Sequence, residues 1–127
     1  MAVQNDYRTW SFKAKADLTD ITAGTGNLYK AVSIDTGDIA ETGLKANGML
    51  QYAGNSGEFI TIGYDGIMKY TASAAITSIG VLLAVTDSGY MAEAGSGDYA
   101  VGRNLTTVVS GGVATGMFNF ATLNQLG

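Results

Sequence analysis

Clusters of glycine with asparagine, aspartate or serine cut most of this chain into short pieces: GNSG at 54–57, YDG at 64–66, DSG at 87–89, GSGD at 95–98 and SGG at 110–112. Glycine reaches left-handed backbone conformations without penalty, and Asn, Asp and Ser fold back onto their own backbone, so such clusters predict tight turns. Between them lie runs rich in β-branched and aromatic residues, too short for helices and without a 3.6-residue period. Strands are predicted at Met49–Ala53, Glu58–Gly63, Ile67–Tyr70, Ile79–Val85, Tyr90–Glu93, Tyr99–Leu105 and Val113–Phe120.

Nearer the N-terminus, WSFKAKADL (10–18) alternates strictly. Trp10, Phe12, Ala14, Ala16 and Leu18 share one face, and Ser11, Lys13, Lys15 and Asp17 the other, which predicts a half-buried strand. TAGTGN (22–27) reads as a loop, LYKAVSI (28–34) as a strand and DTGD (35–38) as a turn. TASAAITS (71–78) holds the one helical potential, and its Ser and Thr content fits a loop equally well. The expected fold class is all-β: a single compact antiparallel β-sandwich or partly closed β-barrel of short strands with tight Gly-rich turns, carrying at most one short helical turn. Its core is expected to include Leu50, Phe59, Ile60 or Ile62, Val81, Leu83, Val101, Leu105 and Phe118. Residues 1–18 are expected to form an N-terminal arm or edge strand, and 19–127 the β body.

Composition narrows function mostly by exclusion. Of 127 residues 46% are hydrophobic and 14% charged, a balance that builds a core and argues against disorder. There is no cysteine and no histidine, which removes thiolate chemistry, the commonest general base and the usual zinc ligands. A net charge of −4 argues against nucleic acid as a partner. No apolar run is long enough to span a membrane, and MAVQNDYRTW lacks a secretory signal's apolar region, so a soluble product of the cytoplasm is expected.

Individual motifs fare no better as chemistry. GTGNLYK (24–30) opens like a dinucleotide fingerprint but has Tyr29 where the third glycine belongs. Asp35 and Asp38 flank one turn without the spacing of a calcium loop. NLT (104–106) matches a glycosylation acceptor but lies in a predicted strand. Gly57-Glu58-Phe59, Gly97-Asp98-Tyr99 and, more weakly, Gly37-Asp38-Ile39 echo one another as glycine, acid, apolar residue, read as a turn leading into a strand. No enzyme, cofactor or metal is expected.

From about residue 44 to 120 the order of these pieces is distinctive: Gly57-Glu58, Gly66-Ile67, Ala74-Ala75-Ile76-Thr77, Asp87-Ser88-Gly89, Ser96-Gly97-Asp98 and Val101-Gly102-Arg103-Asn104-Leu105. This order resembles the small capsid decoration (cement) proteins of tailed phages, over roughly 60% of the chain. The family pattern has Gly-Asp soon after Ile-Thr, where this chain reads Ser78-Ile79-Gly80-Val81. The resemblance implies a non-catalytic virion protein on the outer capsid surface, with the major capsid protein of the assembled shell as partner. It also implies a homo-oligomer, with a trimer favoured. Two other readings stay open: another virion component, such as a head-fibre or tail protein, and a carbohydrate-binding β-sandwich offering Tyr52, Tyr64, Tyr70, Tyr90 and Tyr99.

Charge and aromatic content point to one contact region. Arg8, Lys13 and Lys15 are three of the seven basic residues, and Asp6 is the one acid among residues 1–15; the remaining four basic residues face ten acids. With Tyr7, Trp10 and Phe12 they form the expected capsid or neighbour contact: Tyr7, Arg8, Trp10, Phe12, Lys13 and Lys15.

Overall fold

The structure, a computed structural model, describes residues 5–18, 27–40, 45–121 and 124–126. Among these residues ten strands follow one another: β1 (Asn5–Lys13), β2 (Ala31–Ser33), β3 (Asp38–Ile39), β4 (Gly48–Tyr52), β5 (Phe59–Thr71), β6 (Leu82–Val85), β7 (Met91–Glu93), β8 (Tyr99–Asn104), β9 (Val113–Asn119) and β10 (Asn124–Gln125). A short 3-10 turn spans Asp87–Gly89. The strands form one antiparallel sheet in the order β3-β2-β4-β5-β9-β8-β6-β7, with β1 added to β5 and β10 to β8. It curls into a half-barrel, the partly closed form of the expected all-β class.

β5 organises the molecule. At Thr61–Gly63 it pairs with both β1 and β4, and at Asp65–Ile67 with both β1 and β9. A strand has two edges, so β4 and β9 lie end to end along one and β1 occupies the other. The predicted YDG turn is therefore absent. Asp65 and Gly66 are laddered to Arg8 and Tyr7 on one side and to Asn119 and Phe118 on the other, and the chain runs straight on. What the Tyr64-Asp65-Gly66 stretch does instead is absorb an extra residue. Thr9 opposes Gly63 but Arg8 opposes Asp65, which leaves Tyr64 as a bulge.

One inserted residue reverses the alternation of faces. Before the bulge, Ile60 and Ile62 enter a cluster with Ala14, Leu18, Val32 and Leu50. After it, Met68 and Tyr70 enter a larger cluster with Met49, Leu83, Met91, Val101, Phe118 and Phe120. The bulge thus lets one strand serve two cores. The larger is wrapped by the second half of β5 with β9, β8, β6 and β7. There Ala72 bridges Met91 and the Ser73 amide donates to the Met91 carbonyl at 2.9 Å, which ties the last strand back towards the first.

Several expectations need correction. The N-terminal strand is Asn5–Lys13 rather than 10–18; beyond Lys13 the backbone leaves the β5 ladder, and the Lys15 amide donates to the Gly37 carbonyl. Residues 28–34 contribute a strand only at Ala31–Ser33, because Asn27–Lys30 turn. The predicted loop at 22–27 lies, except for Asn27, outside the described residues. TASAAITS adds no helix: it crosses as an irregular segment pinned by an Ile76–Val108 bridge. Of the expected core, Leu50, Leu83, Val101 and Phe118 are buried, as are both Ile60 and Ile62, whereas Val81 and Leu105 are half-buried. Phe59 is 62% exposed, since with Ile60 turned inward its neighbour must face out.

The most buried aromatic, Tyr70, carries a hydroxyl with no hydrogen-bonding protein group, and desolvation pushes its pKa from 10.0 up to about 12. A raised pKa means that the folded state holds this proton more tightly. The contribution is therefore complete below pH 10 and is lost as pH rises towards 12, by about 2 kcal/mol. Chemical unfolding at pH 8, 10 and 12 should show that loss, and Tyr70→Phe should abolish it while leaving neutral-pH stability equal or up to about 1 kcal/mol higher.

Candidate functional site

The echoed glycine-acid pairs turn out to be turn chemistry. Gly57 and Gly97 have φ of +87° and +84°, and each following acid reaches back across its turn. A Glu58 carboxylate oxygen accepts from the Asn55 amide at 2.7 Å, and one from Asp98 accepts from the Gly95 amide at 2.8 Å. Asp38 accepts from Ile39 next to it. Each carboxylate is spent locally. Among the described residues no three acids gather where a metal could be held, and no helix is long and apolar enough to cross a membrane. Asn104 of the NLT triplet is fully buried, with both ends of its amide hydrogen-bonded to backbone, so it offers nothing to modify.

The six expected contact residues lie on or just beyond β1, but they do not form one patch. Phe12 packs half-buried against the smaller core and Tyr7 against the larger, so both are partly structural. Lys15 donates from Nζ to the Asp35 carbonyl at 3.0 Å. Arg8 is exposed, and the Lys13 ammonium lies 5.8 Å from the centre of the Phe59 ring. Trp10 differs from the other apolar residues of its strand. Its alternation places it on the same face as Phe12, yet it remains 58% exposed.

Trp10 stands at the mouth of a largely apolar groove of about 390 Å³, lined also by Ile34, Asn47, Ile62, Tyr64 and Phe120. Asn47 accepts from the Ile34 amide through Oδ1 at 2.7 Å, fixing Ile34 at the rim. Among the described residues the groove marks a gap in the smaller half of the barrel. Just past β1 the seam is closed by the bond from Lys15 to Gly37; further back, Trp10 and Ile34 line a gap.

Two apolar surfaces escaped the sequence reading. Tyr52 and Phe59 are exposed on the outer face of β4 and β5, beside the hydrogen-bonded Ser11 and Thr61 hydroxyls. The tyrosines considered for a glycan site do not share a face: Tyr70 is core, and Tyr64, Tyr90 and Tyr99 are half-buried. Ile79 and Val109 are exposed on two adjoining segments, 71–86 and 104–121, that hold no charged residue. That gap in the charge pattern was the available signal.

Fold and surface together define a scaffold type: a curled antiparallel sheet with the echoed carboxylates hydrogen-bonded within their own turns and apolar residues left at its surface. No family profile matches the sequence, and no curated protein is significantly similar to it. Among solved structures, the head fiber gp8.5 N base of bacteriophage phi29 is similar in fold, with a TM-score of 0.68 and 12% identity, covering 94% of this chain and 99% of that one. At that identity the likeness concerns the fold alone.

Proposed function

We propose that this chain is a structural protein of a tailed-phage virion that decorates the outer surface of the assembled head, with the major capsid protein as its partner. The observation that carries the reading is the near end-to-end fold likeness to a phage head component, in a chain whose turn order resembles decoration proteins. The scaffold suits the task, because a cement needs a rigid body and adhesive patches rather than reactive groups. β1 is the proposed contact, with exposed Trp10 as its anchor and the exposed Arg8 and Lys13 on the same strand; aromatic and arginine side chains are the usual anchors of interfaces. A homotrimer on the shell would multiply weak contacts through avidity.

Mass spectrometry of gradient-purified particles, with heads and tails separated, tests the reading. The chain should be recovered with heads; recovery with tails alone, or from neither fraction, would overturn it. Deleting residues 1–9 is a poor test of the contact, since Asn5–Thr9 pair with β5 and Tyr7 packs against the core. Trp10→Ala is cleaner. Occupancy on stripped heads should fall about tenfold or more, as for an interface anchor, with the melting temperature unchanged. The fold likeness also favours a second reading, the base of a head fibre. Electron microscopy separates the two: isolated projections carrying the chain indicate a fibre base, and a regular lattice of it indicates a cement.

A further inference from the structure

Beside the groove runs a strand edge that no described strand uses. The Ala14 amide donates to the carbonyl of Glu58, just ahead of β5, whereas the next amide, Lys15, points the other way, to Gly37. Register between β1 and β5 is unbroken from Thr9 to Lys13, so the alternation carries back along the strand. Trp10 and Phe12 spend their backbone groups on β5, and Ser11 and Lys13 present theirs outward. Among the described residues no strand pairs with that edge. Register shifts at Asn5/Tyr7 and Arg8/Thr9 confine the regular edge to Thr9–Lys13, the kind of irregularity that keeps an edge from indiscriminate pairing.

We infer that the outer edge of β1 and the adjoining Trp10 groove together accept an extended segment of a partner chain in which apolar and acidic residues alternate. A row of outward amides and carbonyls is satisfied by an extended backbone and not by a helix or a flat side-chain surface. Alternate side chains of an added strand point to opposite faces. One set enters the groove over Ile62, between Trp10 and Ile34. The other set lies on the face that carries Ser11 and Lys13, and the Lys13 ammonium there, with Arg8 exposed farther along the same strand of an otherwise acidic chain, favours carboxylates. Charge also argues against a second copy adding its own β1, because Arg8 and Lys13 would then face like charges.

The inference deepens the proposed shell contact, and its test is independent of any particle. The probe is a capped synthetic peptide alternating leucine or valine with glutamate; a peptide alternating serine with glutamate is the control. Amide exchange of the intact protein is followed residue by residue by NMR. With the apolar peptide, the Ser11 and Lys13 amides should slow by about tenfold or more, as hydrogen-bonded amides do, while Trp10 and Phe12 stay protected throughout. Ser11→Pro removes one outward donor at a position where an edge strand tolerates proline, and should weaken peptide binding about tenfold, the worth of one hydrogen bond. Equal binding of both peptides, or binding that leaves the Ser11 and Lys13 exchange unchanged, overturns the inference. So does wild-type occupancy of the Ser11→Pro variant on heads, which leaves the decoration reading standing. Peptide binding by a chain not recovered with heads would remove that reading and support the edge site alone.

Discussion

Replacing Phe118 with alanine should cost about 4 kcal/mol, in the range for deleting a buried phenylalanine. Its ring meets Tyr70 edge-on at 5.7 Å between centroids and stacks with Phe120 at 5.6 Å, at the centre of the larger core. Two glycines make room for it. A Cβ on Gly116 would lie 2.6 Å from the ring, and one on Gly102, directly opposite Phe118 in the ladder, would collide with the Met117 carbonyl. Because this site is formed partly by backbone, neighbouring side chains cannot simply close the gap after truncation, so a cavity should remain. Urea unfolding should show a lower midpoint with little change in slope. A loss below about 1 kcal/mol would mean that the barrel collapses around the vacancy, contrary to this packing.

Asn104→Asp should be nearly as damaging, with a pH dependence as its signature. The Asn104 amide nitrogen donates to the carbonyls of Ser78 at 2.6 Å and Thr106 at 3.2 Å, and its oxygen accepts from the Val81 amide at 2.8 Å. This one fully buried side chain clamps the 78–81 segment to the end of β8. A carboxylate there keeps the acceptor but turns an anion towards two carbonyl oxygens, at a cost of about 3 kcal/mol or more. Burial and those carbonyls favour the protonated acid, so its pKa in the folded state lies above the unfolded value. The variant should then be closest to wild type below about pH 4 and lose ground as pH rises to 7. A constant deficit across that range would exclude the carboxylate–carbonyl conflict as its cause.

The region proposed as the contact was legible in part. The cluster of Arg8, Lys13 and Lys15 around Trp10 is a fact of composition along the chain, and so is its contrast with the acidic remainder. Alternation placed Trp10 and Phe12 on one face. It could not foretell that Phe12 meets the core while Trp10 stands at an open seam, because the difference lies in Ile34 and Asn47, brought there from the segments flanking β2 and β4. The β1 edge that no described strand pairs was equally out of reach, since it depends on which strand occupies the other edge.

Local chemistry settled what depends on neighbours in sequence. Turns form at Gly57 and Gly97 because glycine accepts positive φ and the next acid satisfies an amide three residues earlier, interactions complete within a few residues. The all-β class followed from short alternating runs, since a period of two can bury only one side of a strand. YDG shows where such reasoning ends. The same three residues could have turned a hairpin, and became a bulge in a 13-residue strand because β1 and β9 supply ladder partners on both sides. That decision needed residues about 50 positions apart on either side, and it reversed the buried face of β5 so that one strand serves two cores. Local backbone preferences and alternation made strands and turns; long-range pairing energy alone decided which turn stayed open, which aromatic stayed outside and which edge was left free.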